Sequence, residues 1–466
     1  MSKQKRKFNL TLILIILVAL PFTIYSFIKY SPNLTEGLTG LTGTKANIVV
    51  NLTDSYAFRN VPWGHLAQGG EEKTDMIAPV VSQVASLTPQ YVRIDHVFDF
   101  FDVVSRDQGG NLQFNWTNLD NELRNIRRTG AKPFISISYM PSVISSGSEI
   151  DTPRNWDDWK ICVEALIEHI SGTSGLNITD VYYEVWNEPD LFGKFALSGE
   201  KNYLTLYKYA SLGAQHATNI QPFKLGGPAT TGLFDDWVTT FLNYASANNL
   251  RVDFYSWHRY SKLLSTYDDD ILQAKKLILP FEKYKDLELV ISESGYDSEN
   301  NKANDGMLSA IHTIGLYAST FQKIDRLFHF EIKDGPGETQ FWGRWGILTH
   351  EKWGTPVQKP RYHALQFLNQ MRGAWYPVYG QGTWVKAFST TKDGVIRMLL
   401  VNYDPVGKHS ERVPISFVNL PSKSFTYRRI DFMGRKTERH VDISSTNWNI
   451  QESLGVNTAV ILEIEP

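Results

Sequence analysis

The stretch VYYEVWNEP at residues 181–189 has the pattern of a buried strand that stops abruptly. Aromatic and β-branched residues fill its first half, and such residues favour strands. Pro189 cannot donate a hydrogen bond to a sheet, so it predicts the end of the strand. We therefore expect the carboxyl group of Glu188 to lie just beyond the C-terminus of this strand.

A second stretch has the same form. Residues 287–292 (LELVIS) are predicted to be a buried strand, and Glu293 follows them directly. If the two strands belong to one closed parallel barrel, their C-termini converge on the same face. Glu188 and Glu293 can then meet, although they are far apart in the sequence. Two facing carboxyl groups are the minimum requirement for cleaving a glycosidic bond.

Strand patterns alternate with helix patterns over the central part of the chain, which is typical of a parallel sheet covered by helices. Two of the predicted helices are 117–128 and 156–170, the second with Asn155 as its N-cap. An open doubly wound sheet has the same local pattern, but the count of eight strands favours a (β/α)8 barrel, and no Gly-x-Gly-x-x-Gly follows a strand. We predict the eight strands near 61–65 and at 91–95, 133–138, 181–189, 224–227, 253–258, 287–292 and 327–332.

The pattern changes after Trp375, where short strands follow one another without a long helix. The dipeptide Asp393-Gly394 between two of them predicts a hairpin. We predict that these strands form an antiparallel β-sandwich. The expected domains are an N-terminal transmembrane anchor or signal at 1–30, a linker at 31–46, a strand joining the sandwich at 47–57, the barrel at 58–373 and the sandwich at 374–466.

Basic residues near the N-terminus precede an apolar run at 10–28. The run is close to the roughly 20 residues that a membrane helix needs. Its basic flank favours an uncleaved anchor with a cytoplasmic N-terminus, and a cleaved signal peptide is the alternative. In both cases the rest of the chain is expected on the extracytoplasmic side, anchored to the membrane or secreted.

The composition excludes several classes of function. The formal net charge of the 466 residues is −2, so we expect no nucleic-acid partner. Cys162 is the one cysteine, which rules out an intrachain disulfide. The histidines lack His-Glu-x-x-His or comparable ligand spacing, so no metal or organic cofactor is expected. The sequence does not indicate an oligomeric state.

Three segments taken together resemble the clan A glycoside hydrolases: 186–189 (WNEP), 256–260 (SWHRY) and 293–295 (ESG). Within the clan, the chain resembles glycoside hydrolase family 39, the β-xylosidase and α-L-iduronidase family. Further similar segments lie at 91–93, 132–141 and 226–229, so the resemblance covers about 61–371. It implies a retaining hydrolase that cleaves an extracytoplasmic oligo- or polysaccharide by double displacement.

The same resemblance implies roles for five residues. Glu188 matches the general acid/base and Glu293 matches the nucleophile. Asn187 matches the asparagine that contacts the sugar 2-hydroxyl. Tyr260 matches the tyrosine that hydrogen-bonds the nucleophile, and Arg93 matches the arginine near it. Purely structural roles are the alternatives: Glu188 as the cap of a following helix, and Glu293 or Arg93 in a structural ion pair.

Three further candidate site residues each have two possible interpretations. Trp257 and Trp342 are predicted either to stack on a sugar or to fill the core. His258 fits a buried core histidine as well as it fits a sugar contact. Glu184 lies on the same strand face as Glu188, and we expect it to pair with a basic residue inside the barrel.

Two segments depart from the family pattern. Asp95 and His96 stand where family xylosidases carry His-Gly after the strand-two arginine. Residues 330–334 (FEIKD) stand where those enzymes tend to have Trp-Thr-Phe-Ser-Asp. Both segments are expected at the sugar-facing rim, so we predict an altered pocket for the glycon, the sugar whose bond is cleaved. Lys333 is predicted either to favour an acidic sugar or to form an ion pair.

The predicted substrate is a carbohydrate: a β-xyloside, a glycan containing uronic acid or a bacterial exopolysaccharide. Two alternative functions use the same fold. One is a glycan-binding protein on an inactive barrel, and the other is a transglycosylase that uses the same carboxyl pair with a sugar in place of water.

Overall fold

The structure is a computed structural model, and it describes residues 43–58 and 60–466. The predicted anchor at 10–28 and most of the predicted linker lie outside these ranges, so the anchor and the extracytoplasmic location stay predictions. Within the described ranges, none of the helices is both long and apolar enough to cross a bilayer.

The β-strands of the described chain are named in sequence order. They are β1 (Ile48–Asn51), β2 (Tyr56–Ala57), β3 (His65–Gln68), β4 (Tyr91–Ile94), β5 (Val104–Arg106), β6 (Leu112–Phe114), β7 (Lys132–Ile137), β8 (Val181–Val185), β9 (Phe223–Thr230), β10 (Phe254–Tyr260), β11 (Glu288–Gly295), β12 (Arg326–Phe330), β13 (Ala374–Tyr376), β14 (Val378–Tyr379), β15 (Val385–Lys392), β16 (Val395–Asn402), β17 (Glu411–Val418), β18 (Ser424–Asp431), β19 (Lys436–Asp442), β20 (Trp448–Leu454) and β21 (Thr458–Glu465).

The α-helices are named in the same way. They are α1 (Val81–Ser86), α2 (Thr117–Arg128), α3 (Trp156–Ser171), α4 (Tyr203–His216), α5 (Asp235–Ala247), α6 (Leu264–Ile278), α7 (Met307–Ser319) and α8 (Pro360–Leu368).

Eight parallel strands close into a barrel in the order β3-β4-β7-β8-β9-β10-β11-β12, with β12 pairing back to β3. This confirms the predicted closed barrel over the open doubly wound sheet. An apolar layer that includes Phe134, Tyr182, Phe254 and Phe328 fills the barrel interior. This layer forms the floor of a polar site at the C-terminal ends of the strands.

The strands outside the barrel form two larger sheets, β14-β1-β17-β20 and β19-β18-β21-β16-β15-β13-β2. Apolar side chains such as Ile48, Ile415 and Leu400 pack between them in a common core. The N-terminal strand β1 runs parallel to β17 and antiparallel to β14. It therefore lies inside a sheet of C-terminal strands, between β14 and β17.

Helix α7 joins the two parts of the molecule. Residues 309–319 of this helix are all buried, because it contacts α6 and α8 on the barrel side and β15 and β16 on the sheet side. A helix that is apolar all round is expected in such a position. The barrel and the sandwich thus share a continuous packed interface rather than a linker.

Candidate active site

A cavity of about 470 Å³ opens at the C-terminal ends of the barrel strands. Its size is in the usual range for small-molecule pockets. The residues that line it come from the C-terminal ends of the eight barrel strands and from the loops that follow them. They include Gly69, Gly70, Glu71, Asp95, His96, Tyr139, Asn187, Glu188, Leu191, Phe192, Thr231, Arg259, Tyr260, Glu293, Ser298, Glu299, Phe330, Arg344 and Trp345.

The backbone after β8 turns sharply to aim Glu188 into this cavity. Trp186 and Glu188 both adopt left-handed conformations, with φ of 75° and 46°. Such backbone conformations cost about 1–3 kcal/mol each for residues other than glycine and cluster at functional sites. The Glu188 amide donates to the carbonyl of Ala229 at 3.0 Å, which ties the turn to β9.

The Glu188 carboxyl group does not cap a helix. The next helix, α4, begins only at Tyr203. Glu188 Oε1 instead lies 2.8 Å from Nδ1 of His258. The capping interpretation is therefore wrong, and the physical reason is that the chain after Pro189 continues as turns.

Glu293 lies inside β11, next to the C-terminal end of the strand, and is almost completely buried. Its carboxylate accepts hydrogen bonds from Arg93 Nη1 at 2.8 Å and from the Tyr260 hydroxyl at 2.7 Å. Between Trp257 and His258 the pairing of β10 with β11 shifts by one residue, so His258 pairs with Glu293. Irregularities of this kind commonly re-aim side chains at active sites.

Arg93 holds three groups of the site together from below. Its Nε donates to Glu184, its Nη1 to Glu293 and its Nη2 to Asn187 Oδ1, each at 2.8 Å. The planar guanidinium suits such a set of partners. Burial alone would lower the pKa of Arg93, but the carboxylates of Glu184 and Glu293 outweigh burial and raise it, so the group stays charged. The expected pairing of Glu184 with a base inside the barrel is confirmed.

His258 lies between the two carboxyl groups. Its Nδ1 is 2.8 Å from Glu188 Oε1 and 3.5 Å from Glu293 Oε2, and the ring is fully buried. Burial acts to lower the pKa of His258, but Glu293 and Glu188 raise it by more. His258 is therefore neither an inert core residue nor a side chain in the pocket lining; it couples the two carboxyl groups electrically.

Burial changes the pKa values of two groups at the site, Glu293 and Tyr260. Burial raises the pKa of Glu293, and His258 and Arg93 act in the opposite direction by favouring the charged form. Burial and the nearby Glu293 raise the pKa of Tyr260 well above its ordinary value. The Tyr260 hydroxyl therefore stays protonated and donates to Glu293, which is the contact that the sequence resemblance implies.

The described site matches one known family. The model of "Glycosyl hydrolases family 39" matches residues 73–294, which contain both Glu188 and Glu293. Residues 73–294 of the barrel match glycosyl hydrolase family 39. The predicted resemblance is thus confirmed, and the family is one of glycosidases.

Several known proteins are similar to this chain. A β-xylosidase of Caldicellulosiruptor saccharolyticus is 28% identical over 303 residues, which are 59% of this chain and 60% of that enzyme. A crystal structure of a monomeric β-xylosidase from Caulobacter crescentus CB15 superposes with a TM-score of 0.73 at 18% identity, over 90% of this chain and 99% of that one. The family 39 enzyme from Xanthomonas axonopodis pv. citri gives a TM-score of 0.72 at 18% identity, over 92% and 99%.

The match to the Caldicellulosiruptor enzyme spans about 60% of that protein's length. The two crystal structures share the fold with this chain, and their low sequence identity carries the comparison no further. The assignment to family 39 therefore depends on the matched region and on the site geometry. The activity and substrate of the whole protein are proposals.

The family 39 domain does not bring the two candidate tryptophans into the cavity. Trp257 is fully buried, and its Nε1 donates to Asp270 Oδ2 at 3.0 Å, so the core interpretation holds for it. Trp342 is half-buried beside the rim, where the Arg344 guanidinium lies 5.3 Å from its ring. Sugar stacking by these two residues is not supported, because neither of them lines the cavity.

Lys333 is also outside the cavity. It is fully buried, and its Nζ lies 2.6 Å from Glu351 Oε2, so the ion-pair interpretation is correct for it. A cluster of His and Glu residues beside it, Glu72, His350 and Glu351, has atoms close enough to hold a metal ion. The Lys333 ammonium already supplies positive charge to this cluster, which argues against a metal there.

The sequence analysis missed several groups that line the family 39 pocket. Tyr139 accepts a hydrogen bond from Asn187 Nδ2 at 2.9 Å and so fixes the asparagine side chain. Trp345 comes from the loop after β12, and its Nε1 donates to the carbonyl of Asp297 at 3.1 Å. The aromatic-rich run at 341–345 (FWGRW) was the signal that could have identified this wall of the pocket.

Proposed function

We propose that this protein is a retaining glycoside hydrolase that cleaves β-xyloside-like bonds of an oligo- or polysaccharide by double displacement. One observation carries the proposal: carboxyl oxygens of Glu188 and Glu293 lie within 4.8 Å of each other. Retaining enzymes hold their carboxyl groups about 5–5.5 Å apart, whereas inverting enzymes need about 6.5–9.5 Å to admit a water molecule. The short separation supports direct attack by one carboxylate.

In the first proposed step, Glu188 donates its proton to the glycosidic oxygen while Glu293 attacks the anomeric carbon. The bond to the leaving group breaks, and an ester forms between Glu293 and the sugar. Arg93 and Tyr260 hold the attacking carboxylate through bonds of 2.8 and 2.7 Å. These donors fix the direction of attack, because both lie on rigid barrel strands.

In the second step, Glu188 acts as the base that removes a proton from the incoming water, and water releases the sugar from Glu293. Glu188 thus changes charge in each step. The His258 ring nitrogen Nδ1 lies 2.8 Å from Glu188 Oε1, so it contacts the group that changes charge. The same ring nitrogen lies 3.5 Å from Glu293 Oε2, so His258 is close to both carboxyl groups.

Asn187 is placed to contact the substrate beside both carboxyl groups. Its amide is held by Arg93 at 2.8 Å and by Tyr139 at 2.9 Å, and it lines the same cavity. A donor fixed in this way costs little reorganisation when a sugar 2-hydroxyl approaches. The β-xylosidase names of the relatives support a pentose or similar sugar as the unit that is released.

The test is the anomeric form of the first product. With 4-nitrophenyl β-xyloside as the substrate, proton NMR at early times is expected to show β-xylose before mutarotation. α-Xylose as the first product would contradict double displacement. Tight binding of xylan fragments without any sugar release would instead favour the inactive glycan-binding alternative, and products longer than the substrate would favour the transglycosylase.

Replacing Tyr260 with phenylalanine is expected to lower kcat about 10- to 100-fold, because a hydrogen bond to a charged group is lost. The pH profile should change as well. Activity requires Glu293 to be ionised, and loss of a donor to the carboxylate raises its pKa further. The acid limb of kcat/KM should therefore move to higher pH.

Tyr267→Phe is the matched control for this change. The Tyr267 hydroxyl lies within hydrogen-bond distance of the backbone carbonyls of Arg259 and Gly295, at 2.9 and 2.8 Å, and contacts neither carboxyl group. Its removal should leave the acid limb in place. An acid limb that is unmoved in Tyr260→Phe as well would refute the proposed role of Tyr260.

A further inference from the structure

One buried carboxylate in the pocket lacks a partner. Asp95 directly follows β4, lines the cavity and is 8% exposed. Among the described residues, none donates a hydrogen bond to its Oδ1, although this atom is buried. The positive charges of Arg93 and His96 act on this carboxylate, but neither group donates a hydrogen bond to it. Because Asp95 lines the cavity, its side chain lies at the wall of the space where a sugar would bind.

The chain around Asp95 is shaped to keep this end of the pocket rigid. His96 adopts a left-handed conformation, with φ of 56°, and its ring stacks on Phe100 with the centroids 3.8 Å apart. Its Nδ1 lies 2.8 Å from Asp99 Oδ2. A Cβ atom on Gly70 would come within 2.2 Å of the His96 ring, so only glycine leaves room for it. Asp95 and His96 therefore present a fixed pair of polar groups to the cavity.

The charges around the cavity are mostly negative. The acidic residues that line it are Glu71, Asp95, Glu188, Glu293 and Glu299.

Two arginines line the same cavity, and both are already paired. Arg259 binds both oxygens of Asp270, at 2.6 and 3.0 Å. Arg344 binds Glu71 and lies flat over Trp345, 3.5 Å from the ring centroid. Neither guanidinium is free to bind a substrate carboxylate without giving up its present partner. The other basic groups near Asp95 are also paired: His96 with Asp99, and Arg93 with Glu184 and Glu293.

We propose that Asp95 determines specificity at the glycon subsite: it accepts hydrogen bonds from hydroxyl or amino groups of the sugar and excludes a sugar that carries a carboxylate. The substrate class is therefore an uncharged or amine-bearing glycoside, not a uronide. This inference rests on the proposed function, and it deepens that function by choosing among the substrates that the sequence left open.

The test compares three 4-nitrophenyl substrates: the β-xyloside, the β-glucoside and the β-glucuronide. The β-glucoside carries a hydroxymethyl group at the position where the β-glucuronide carries a carboxylate. The wild-type protein is expected to prefer the glucoside to the glucuronide. Asp95→Asn should lower kcat/KM on the β-xyloside about 10- to 100-fold, because the sugar then donates a hydrogen bond to a neutral group instead of a charged one. The same change should reduce the ratio of kcat/KM for the glucoside to kcat/KM for the glucuronide.

Glu338→Gln is the matched control, since it removes one negative charge from an exposed position in the loop after β12, outside the pocket lining. It should leave all three rates nearly unchanged. A thermal melt gives the second readout. Because no group of the described chain donates a hydrogen bond to Asp95 Oδ1, Asp95→Asn should leave Tm nearly unchanged, whereas loss of a hydrogen-bonded structural ion pair would lower it.

Unchanged kcat/KM of Asp95→Asn on the β-xyloside would overturn the inference, and so would wild-type hydrolysis of the glucuronide at the rate of the glucoside. If the protein hydrolyses neither the glucoside nor the glucuronide, the effect of Asp95→Asn on kcat/KM for the β-xyloside decides whether the inference holds. A wild-type protein that hydrolyses none of the three would contradict the proposed function itself, and the two failures are thus distinguishable.

Discussion

Replacing Glu293 with alanine is expected to lower kcat for β-xyloside hydrolysis by about 10⁵-fold or more, since the group that forms the covalent intermediate is lost. The fold should survive this change. Glu293 is held by Arg93, Tyr260 and the nearby His258, and alanine leaves a cavity on the pocket side of β11 rather than in the packed core. Steady-state rates together with a thermal melt separate the two effects.

A small anion should partly restore turnover in this variant. Azide can enter the space that the Glu293 side chain vacates and attack the anomeric carbon, while Glu188 still protonates the leaving group. The expected product is an α-glycosyl azide, because a single displacement inverts a β-glycoside. NMR or mass spectrometry of the product checks this directly.

Glu288→Gln is the matched control for Glu293→Ala. Glu288 lies on the same strand at the opposite end of the barrel, where it accepts a hydrogen bond from the Tyr182 hydroxyl at 2.6 Å. Its replacement should leave kcat almost unchanged. Full activity of Glu293→Ala, or the absence of azide rescue under conditions where the protein is folded, would refute the assignment of Glu293 as the nucleophile.

Replacing Glu188 with alanine should separate substrates by their leaving groups. Loss of a general acid costs about 10²- to 10⁴-fold when the leaving group needs a proton. A 2,4-dinitrophenyl glycoside needs little protonation, so its bond cleavage should be slowed far less than that of an alkyl or sugar glycoside. Stopped-flow measurement of the first turnover isolates cleavage from the later hydrolysis of the glycosyl intermediate, which also uses Glu188.

Asp180→Asn provides the control for Glu188→Ala. Asp180 precedes β8 at the other end of the strand, and its exposed ion pair with Lys132 has a distance of 2.6 Å. Exposed pairs contribute little stability, so neither the fold nor the rates should change appreciably. Equal losses of the Glu188→Ala variant on both kinds of leaving group would count against its role as the acid.

Most of the barrel could be predicted because its strands are buried on both faces and are therefore nearly continuous apolar runs. Helix α2 has the bounds 117–128 that its apolar periodicity predicts. The N-cap of α3 is also as predicted, since the Asn155 side chain accepts from the Asp157 amide at 3.0 Å. These elements depend on local patterns, which are present in the sequence itself.

Other elements lacked such a pattern. Helix α6 was not predicted, because three consecutive aspartates at 268–270 obscure the apolar spacing of Leu264, Tyr267, Ile271 and Ile278. Strand β19 was missed because nearly all of its side chains are exposed at the edge of a sheet. A strand that buries neither face has no alternation for a sequence interpretation to detect.

The neighbours Trp257 and His258 show where prediction of the site failed. Side chains alternate along a strand, so one of the two must face the helices and the other the barrel interior. The sequence does not say which, because the register of β10 shifts at this point. In the folded barrel Trp257 points to the helix layer and His258 reaches Glu188 and Glu293.

The sequence alone determined the kind of fold and the identity of the two carboxyl residues, because both are written in short patterns of strands and in the residues that end them. Only the tertiary structure decided how these residues work together. The 2.8 Å contacts of Arg93 and the position of His258 between two carboxyl groups join segments that are distant in the chain. Such contacts arise from barrel closure and strand register, which no local pattern encodes.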